Sequence, residues 1–177
     1  MPEPDLRYPI GRFERPRSST PREREARIAT LAAAPSRFRE AVRNLTDAQL
    51  DVPYRPEGWT VRQVVHHVPE SHMNSYIRFK LALTEDAPTI KPYDEAAWAR
   101  LQDAQCLPVE PSLQLLEALH TRWIFVLRGL QESDFARTFR HPEAGVMTLD
   151  TALALYAWHS LHHEAHITAL RQRMGWQ

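Results

Sequence analysis

The chain has 177 residues, 43% of them hydrophobic and 25% charged, which suits one globular domain with a sizeable core and excludes a largely disordered protein. Twenty-two basic residues balance twenty-two acidic ones, so the basic footprint of a nucleic-acid binder is missing and small-molecule or protein partners are expected. The single Cys106 excludes an internal disulfide, the opening Met-Pro-Glu-Pro-Asp lacks the regions of a signal peptide, and no apolar run has membrane-spanning length; together these predict a soluble cytoplasmic protein.

Residues 1–19, with Pro2, Pro4, Pro9 and Pro16, show little periodicity and read as an extended N-terminal arm of a domain spanning residues 1–177. Thr20, Pro21 and Glu23 combine an N-cap, a proline in the first turn and a capping-box glutamate, so a first helix starts there. It runs through Ile28 and Leu31, meets Pro35, which should kink or restart it, and continues to Leu45. Asp47 to Leu50 adds a short turn. Thr60 with Gln63 forms a second capping box, and the second helix runs from Thr60 to about Leu83. Pro69 lies inside it and predicts a bend next to His67.

Residues 85–111 carry four prolines and form a long connection, a crossover or lid, with a short helix from Asp94 to Leu101. A third helix follows from Ser112 and stops at Gly129, with His120 central on its apolar face. Residues 131–147 read as irregular or briefly extended. Thr148 and Asp150 then start a fourth helix that Gly175 ends. Four long amphipathic helices without a convincing strand pattern predict an all-α four-helix bundle, a fold whose sites are built from side chains on facing helices.

Chemistry concentrates in the fourth helix, where His159, His162, His163 and His166 fall within one short stretch. The pairs 159/163 and 162/166 both have the i,i+4 spacing that presents two imidazoles one turn apart. At about 100° per residue, His163 lies about 10° and His159 about 50° from the centre of the apolar stripe, against about 70° for His166 and 110° for His162. The inward pair is therefore His159 and His163. One buried histidine is ordinarily a hydrogen-bonded core residue, but two at ligand spacing point to a metal whose third ligand comes from another helix. The second helix offers His66, His67 and His72. Periodicity makes His72 the most inward of these, at about 30°, and places His67 about 110° away. Yet His67, Ser71, Asn74 and Arg78 share one line along the helix, either a solvated face or the lining of a cavity.

Several stretches in order carry a family resemblance: Leu6 to Phe13, Tyr54 to His67 (YRPEGWTVRQVVHH), Ser71 to Ser75 (SHMNS), Arg78 to Asp86, and Tyr156 to His163 (YAWHSLHH). The chain resembles the YfiT branch of the DinB/YfiT metalloenzymes over nearly its whole length. The resemblance implies a four-helix bundle and a homodimer. It also implies a metal held by His67, eight residues after Trp59, and by His159 and His163.

Three neutral imidazoles suit one zinc or nickel ion per chain and leave a position open for water or substrate. Such an ion can lower the pKa of bound water, giving a hydrolase of small esters or amides, or hold a thiol as thiolate, giving a thiol transferase. Members of the resembled family are described as metal-dependent hydrolases, and similar proteins transfer low-molecular-weight thiols such as bacillithiol. The inward faces of the second, third and fourth helices show no carboxylate to act as general base: Glu70 points away from His67, and Glu164 lies about 90° from its stripe centre. This favours thiol transfer to an electrophile over hydrolysis, with Asp94, Glu95 and Glu143 on the long loops as the remaining base candidates. A non-catalytic metal-binding bundle is a third reading. Asn74 and Arg78 are candidate contacts to a polar or carboxylate-bearing substrate. His120 is a candidate substrate or supporting group, with a core histidine as the alternative.

Overall fold

The computed structural model describes residues 5–176. Residues 5–20 form turns around Asp5 to Gly11 and an irregular run beyond; residues 1–4 of the expected arm, with Pro2 and Pro4, lie outside the described part. Helix α1 spans Pro21–Ala41, and its N-terminus carries the capping box: Thr20 Oγ1 accepts from Glu23 N while Glu23 Oε2 accepts from Thr20 N. The short α2, Asp47–Leu50, repeats the device with Thr46 and Gln49. Helix α3, Val61–Thr84, starts at the box of Thr60 and Gln63.

Two short helices, α4 (Glu95–Trp98) and α5 (Gln102–Cys106), break up the long connection where one was expected. Helix α6, Glu110–Arg128, begins two residues ahead of Ser112 with Pro111 in its first turn. After a 3-10 turn at Glu132–Ala136 comes a hairpin of β1, Thr138–His141, and β2, Gly145–Thr148, antiparallel with His141 opposite Gly145. The helix α7, Leu149–Met174, ends at Gly175 with φ +66°.

The long helices pack α1 on α6 and α7, and α3 on α6 and α7, which makes the four-helix bundle. Neither internal proline ends its helix. Helices α1 and α3 each continue through theirs, Pro35 and Pro69, as one element.

The core is divided. One apolar cluster, around Leu31, Phe79, Trp123, Leu149 and Leu153, fills one end of the bundle. Another, around Phe38, Val64, Val65, Leu116 and Ile167, fills the other. Each long helix contributes to both clusters, and between its two apolar stretches lie Pro35 on α1, His67 and His72 on α3, His120 on α6, and His159, His162, His163 and His166 on α7. A polar layer thus crosses the middle of the bundle, where every buried nitrogen needs a partner.

Candidate metal centre

Helix α3 positions His67 and α7 positions His159 and His163. One nitrogen from each falls in a group whose atoms all lie within 4.8 Å of one another. His67 and His163 are buried and His159 is partly open. The Nε2 atoms of His67 and His159 are 3.3 Å apart. Two nitrogens held at about 2.0–2.1 Å from a tetrahedral ion stand about 3.3 Å from each other, so this spacing fits a zinc-like centre. Burial, reinforced by neighbouring His162, pushes the pKa of His67 down to about 4. Burial likewise holds His159 and His163 well below the ordinary histidine value, with neighbouring histidines adding to it. All three rings are therefore neutral at pH 7, which is the form a metal binds.

A second group, His162, His163 and His166, shares His163. Its His166 is already engaged, since Nε2 lies 3.2 Å from the Arg7 carbonyl and Nδ1 lies 3.4 Å from His163 Nδ1. A carbonyl only accepts, so His166 Nε2 carries the proton there. The ring of Tyr54 stacks on His166 at 3.8 Å, and Tyr8 and Trp158 flank His162. These contacts anchor the N-terminal arm to α7 and suit a structural role.

The three-histidine group opens into a cavity of about 430 Å³. Its walls come from several elements: Trp59 before α3, Ser71 and Arg78 on α3, Glu95 on α4, Phe139 and His141 on β1, Met147 on β2, and Leu155 and Tyr156 on α7. The lid-like connection reaches the hairpin through backbone hydrogen bonds, Ile90 N to Arg140 O at 3.0 Å and Arg140 N to Pro88 O at 2.8 Å. The lining thus combines apolar side chains with a guanidinium, a carboxylate and hydroxyls.

The structure brings His67, His159, His163 and Arg78 to one cavity and leaves Asn74 and His120 out of its lining. Asn74 Nδ2 donates to the Glu70 carbonyl at 2.9 Å on its own helix, and His120 is buried at 2% exposure behind His72. Of the base candidates, Glu95 lines the cavity, Asp94 caps α4 by accepting from Ala97 N, and Glu143 lines a neighbouring pocket. Glu70, pushed up to about 7 by burial and by Asp103, is outside the cavity lining. Glu164 faces Arg37 at 3.7 Å.

Periodicity had pointed away from His67. The reason is that α3 packs against α5, α6, α7 and β1, so its buried arc includes Val65, His66, His67, Val68 and His72 together. A stripe centre has little meaning on a helix covered on several sides. The hairpin wall, Phe139, His141 and Met147, escaped sequence reasoning; the signal was Gly145, whose φ of +73° closes the three-residue turn Pro142, Glu143 and Ala144.

A sequence profile described as the DinB superfamily matches residues 30–167. Relatives named "putative metal-dependent hydrolase" in Bacillus cereus strain 03BB102 and in Bacillus thuringiensis subsp. konkukian strain 97-27 are each 55% identical over 97% of this chain and 99% of their own. The fold superposes with a TM-score of 0.95 and 51% identity on YfiT from Bacillus subtilis, described as "a probable metal-dependent hydrolase with an unusual four-helix bundle topology", covering 97% of this chain and 99% of that one. A four-helix bundle protein, TT2238, shares the fold at TM-score 0.58 and 21% identity. The chain belongs to the DinB superfamily, among its YfiT-like members.

Proposed function

We propose that the chain is a metal-dependent enzyme in which His67, His159 and His163 hold one zinc or nickel ion, and that it transfers a low-molecular-weight thiol, of the bacillithiol type, to an electrophilic substrate. The observation that carries this reading is the convergence of three neutral imidazoles on one cavity. A divalent ion supplies there the Lewis acidity that favours the thiolate form of a thiol at neutral pH. The three histidines bring no negative charge of their own, so an anionic sulfur is well matched to the site. Arg78, in the cavity wall, suits a carboxylate on the thiol's far end through a charge-assisted pair. Phe139, Met147 and Leu155 form the apolar wall against which an electrophile packs and from which water is excluded. The thiolate's electron pair would form the new C–S bond while the bond from that carbon to the leaving group breaks; the leaving group departs with the bonding pair, and the proton given up by the thiol passes to it or to solvent.

A second reading, hydrolysis of a small ester or amide, is favoured by Glu95, a carboxylate in the cavity lining and so a candidate general base, and by the names of the relatives. The two are separated by assaying the zinc- and nickel-loaded protein on a panel of thiols with electrophiles and on esters and amides alone. Thiol transfer predicts consumption of thiol and electrophile together, lost at least about a hundredfold in His163→Ala, with Arg78→Met raising KM for carboxylate-bearing thiols about tenfold and sparing uncharged ones. Ester or amide turnover that needs no thiol and falls in Glu95→Gln contradicts it.

A further inference from the structure

The buried histidines behind the centre form a directed chain. His120 Nδ1 lies 2.7 Å from the carbonyl of Leu31, His72 Nδ1 lies 2.8 Å from His120 Nε2, and His159 Nδ1 lies 3.1 Å from His72 Nε2. Its polarity follows from its first link. A carbonyl oxygen only accepts, so His120 Nδ1 carries a proton. The rings are neutral: His72 and His120 are exposed by 0% and 2%, and none of the ion pairs among the described residues involves a histidine, so an imidazolium would be an uncompensated buried charge. With its proton on Nδ1, neutral His120 offers a bare Nε2, which must accept from His72 Nδ1. His72 then accepts at Nε2 from His159 Nδ1. The far nitrogen of His159, Nε2, is left with its lone pair directed at His67 and the cavity.

The Leu31 carbonyl is available because Pro35, four residues on, has no N–H to give it. The proline inside α1, which breaks no helix, thus serves as the origin of the chain.

We propose that Leu31 C=O, His120 and His72 are a positioning chain that locks His159 in the Nδ1–H tautomer, so that its Nε2 faces the centre ready to bind a metal; the metal part rests on the function proposed above. His72 and His120 act through His159 and touch neither substrate nor ion.

The test uses the full chain and zinc alone as probe. In the metal-free wild-type protein, long-range ¹H–¹⁵N spectra of the histidine rings, assigned with a His159→Asn variant, are expected to show the His159 proton on Nδ1. His72→Phe, which keeps the volume and removes the acceptor, is expected to weaken zinc binding by about 10–100-fold, while His72→Gln, which keeps an acceptor for His159 Nδ1, restores most of it. Circular dichroism establishes that the variants fold; should His72→Phe not fold, the wild-type spectrum decides alone. A proton on His159 Nε2, or wild-type zinc affinity in a folded His72→Phe, overturns the chain. Failure of the wild-type protein to take up zinc at all overturns the metal reading, and the tautomer of His159 is then read independently of it.

Discussion

At the scale of single residues, the site depends on keeping imidazoles neutral where they are hidden from water. Burial pushes His67, His120, His162 and His166 down to about 4, and holds His72, His159 and His163 well below the usual value. Their unfolded-state value is about 6.5. Between these limits the unfolded chain binds protons that the folded chain refuses, so stability rises with pH across that window. The contribution is complete above about pH 6.5 and is lost as pH falls toward 4, by up to about 1.4 kcal/mol per pH unit for each histidine so held. Urea unfolding of the metal-free protein is therefore expected to show a midpoint level above pH 7 and falling steeply from pH 6 to 4.5; a flat midpoint there would refute the neutral layer. Residue-scale legibility was uneven. Helix direction singles out His159 and His163, yet His162 and His166, which it places further out, are buried as well, because α7 like α3 is covered on several sides; His67 comes only from the resemblance. The His72–His120 pair was not readable, because a hydrogen bond across 48 residues leaves no periodic trace.

At the scale of elements, the helix starts were the most legible feature. Thr20, Thr46, Thr60 and Thr148 each accept from a backbone N–H three residues on, a pattern written in local sequence. Thr60→Ala is expected to lower stability by about 1 kcal/mol in urea unfolding while leaving metal content unchanged, because the cap sits at the outer end of α3 and the centre does not. Equal loss of metal would mean that the cap and the site are coupled. Buried Arg62 is a stronger local tie, joining α3 to Asp47 at 2.9 Å, Asp51 at 2.7 Å and the Leu107 carbonyl at 3.0 Å. Neither proline ends its helix: Pro35 and Pro69 each lie inside one continuous element, and the carbonyl that Pro35 leaves free, that of Leu31, accepts from His120 instead. The hairpin was missed because strands of four residues carry too little alternation to stand out, and their pairing is set by the turn at Gly145.

At the scale of the whole molecule, two apolar clusters joined by a histidine layer form a bundle whose middle is held by directed contacts more than by packing. Among the described residues no helix is long and apolar enough to cross a membrane. Because His67 lies on α3 and His159 and His163 on α7, an ion bound between them ties two helices across that layer. Free zinc about a hundredfold above its Kd should then add about 2.7 kcal/mol and raise Tm by about 5–10 °C, an increment a chelator removes. A Tm indifferent to zinc and chelator would contradict the cross-helix centre. The most direct measurement is elemental analysis of the purified protein beside His67→Ala, His159→Ala and His163→Ala. About one divalent transition-metal ion per chain in the wild type, lost in each variant, is the predicted result. Full occupancy in folded His67→Ala, with loss on replacing His162 or His166, would place the ion in the neighbouring histidine group and contradict the account.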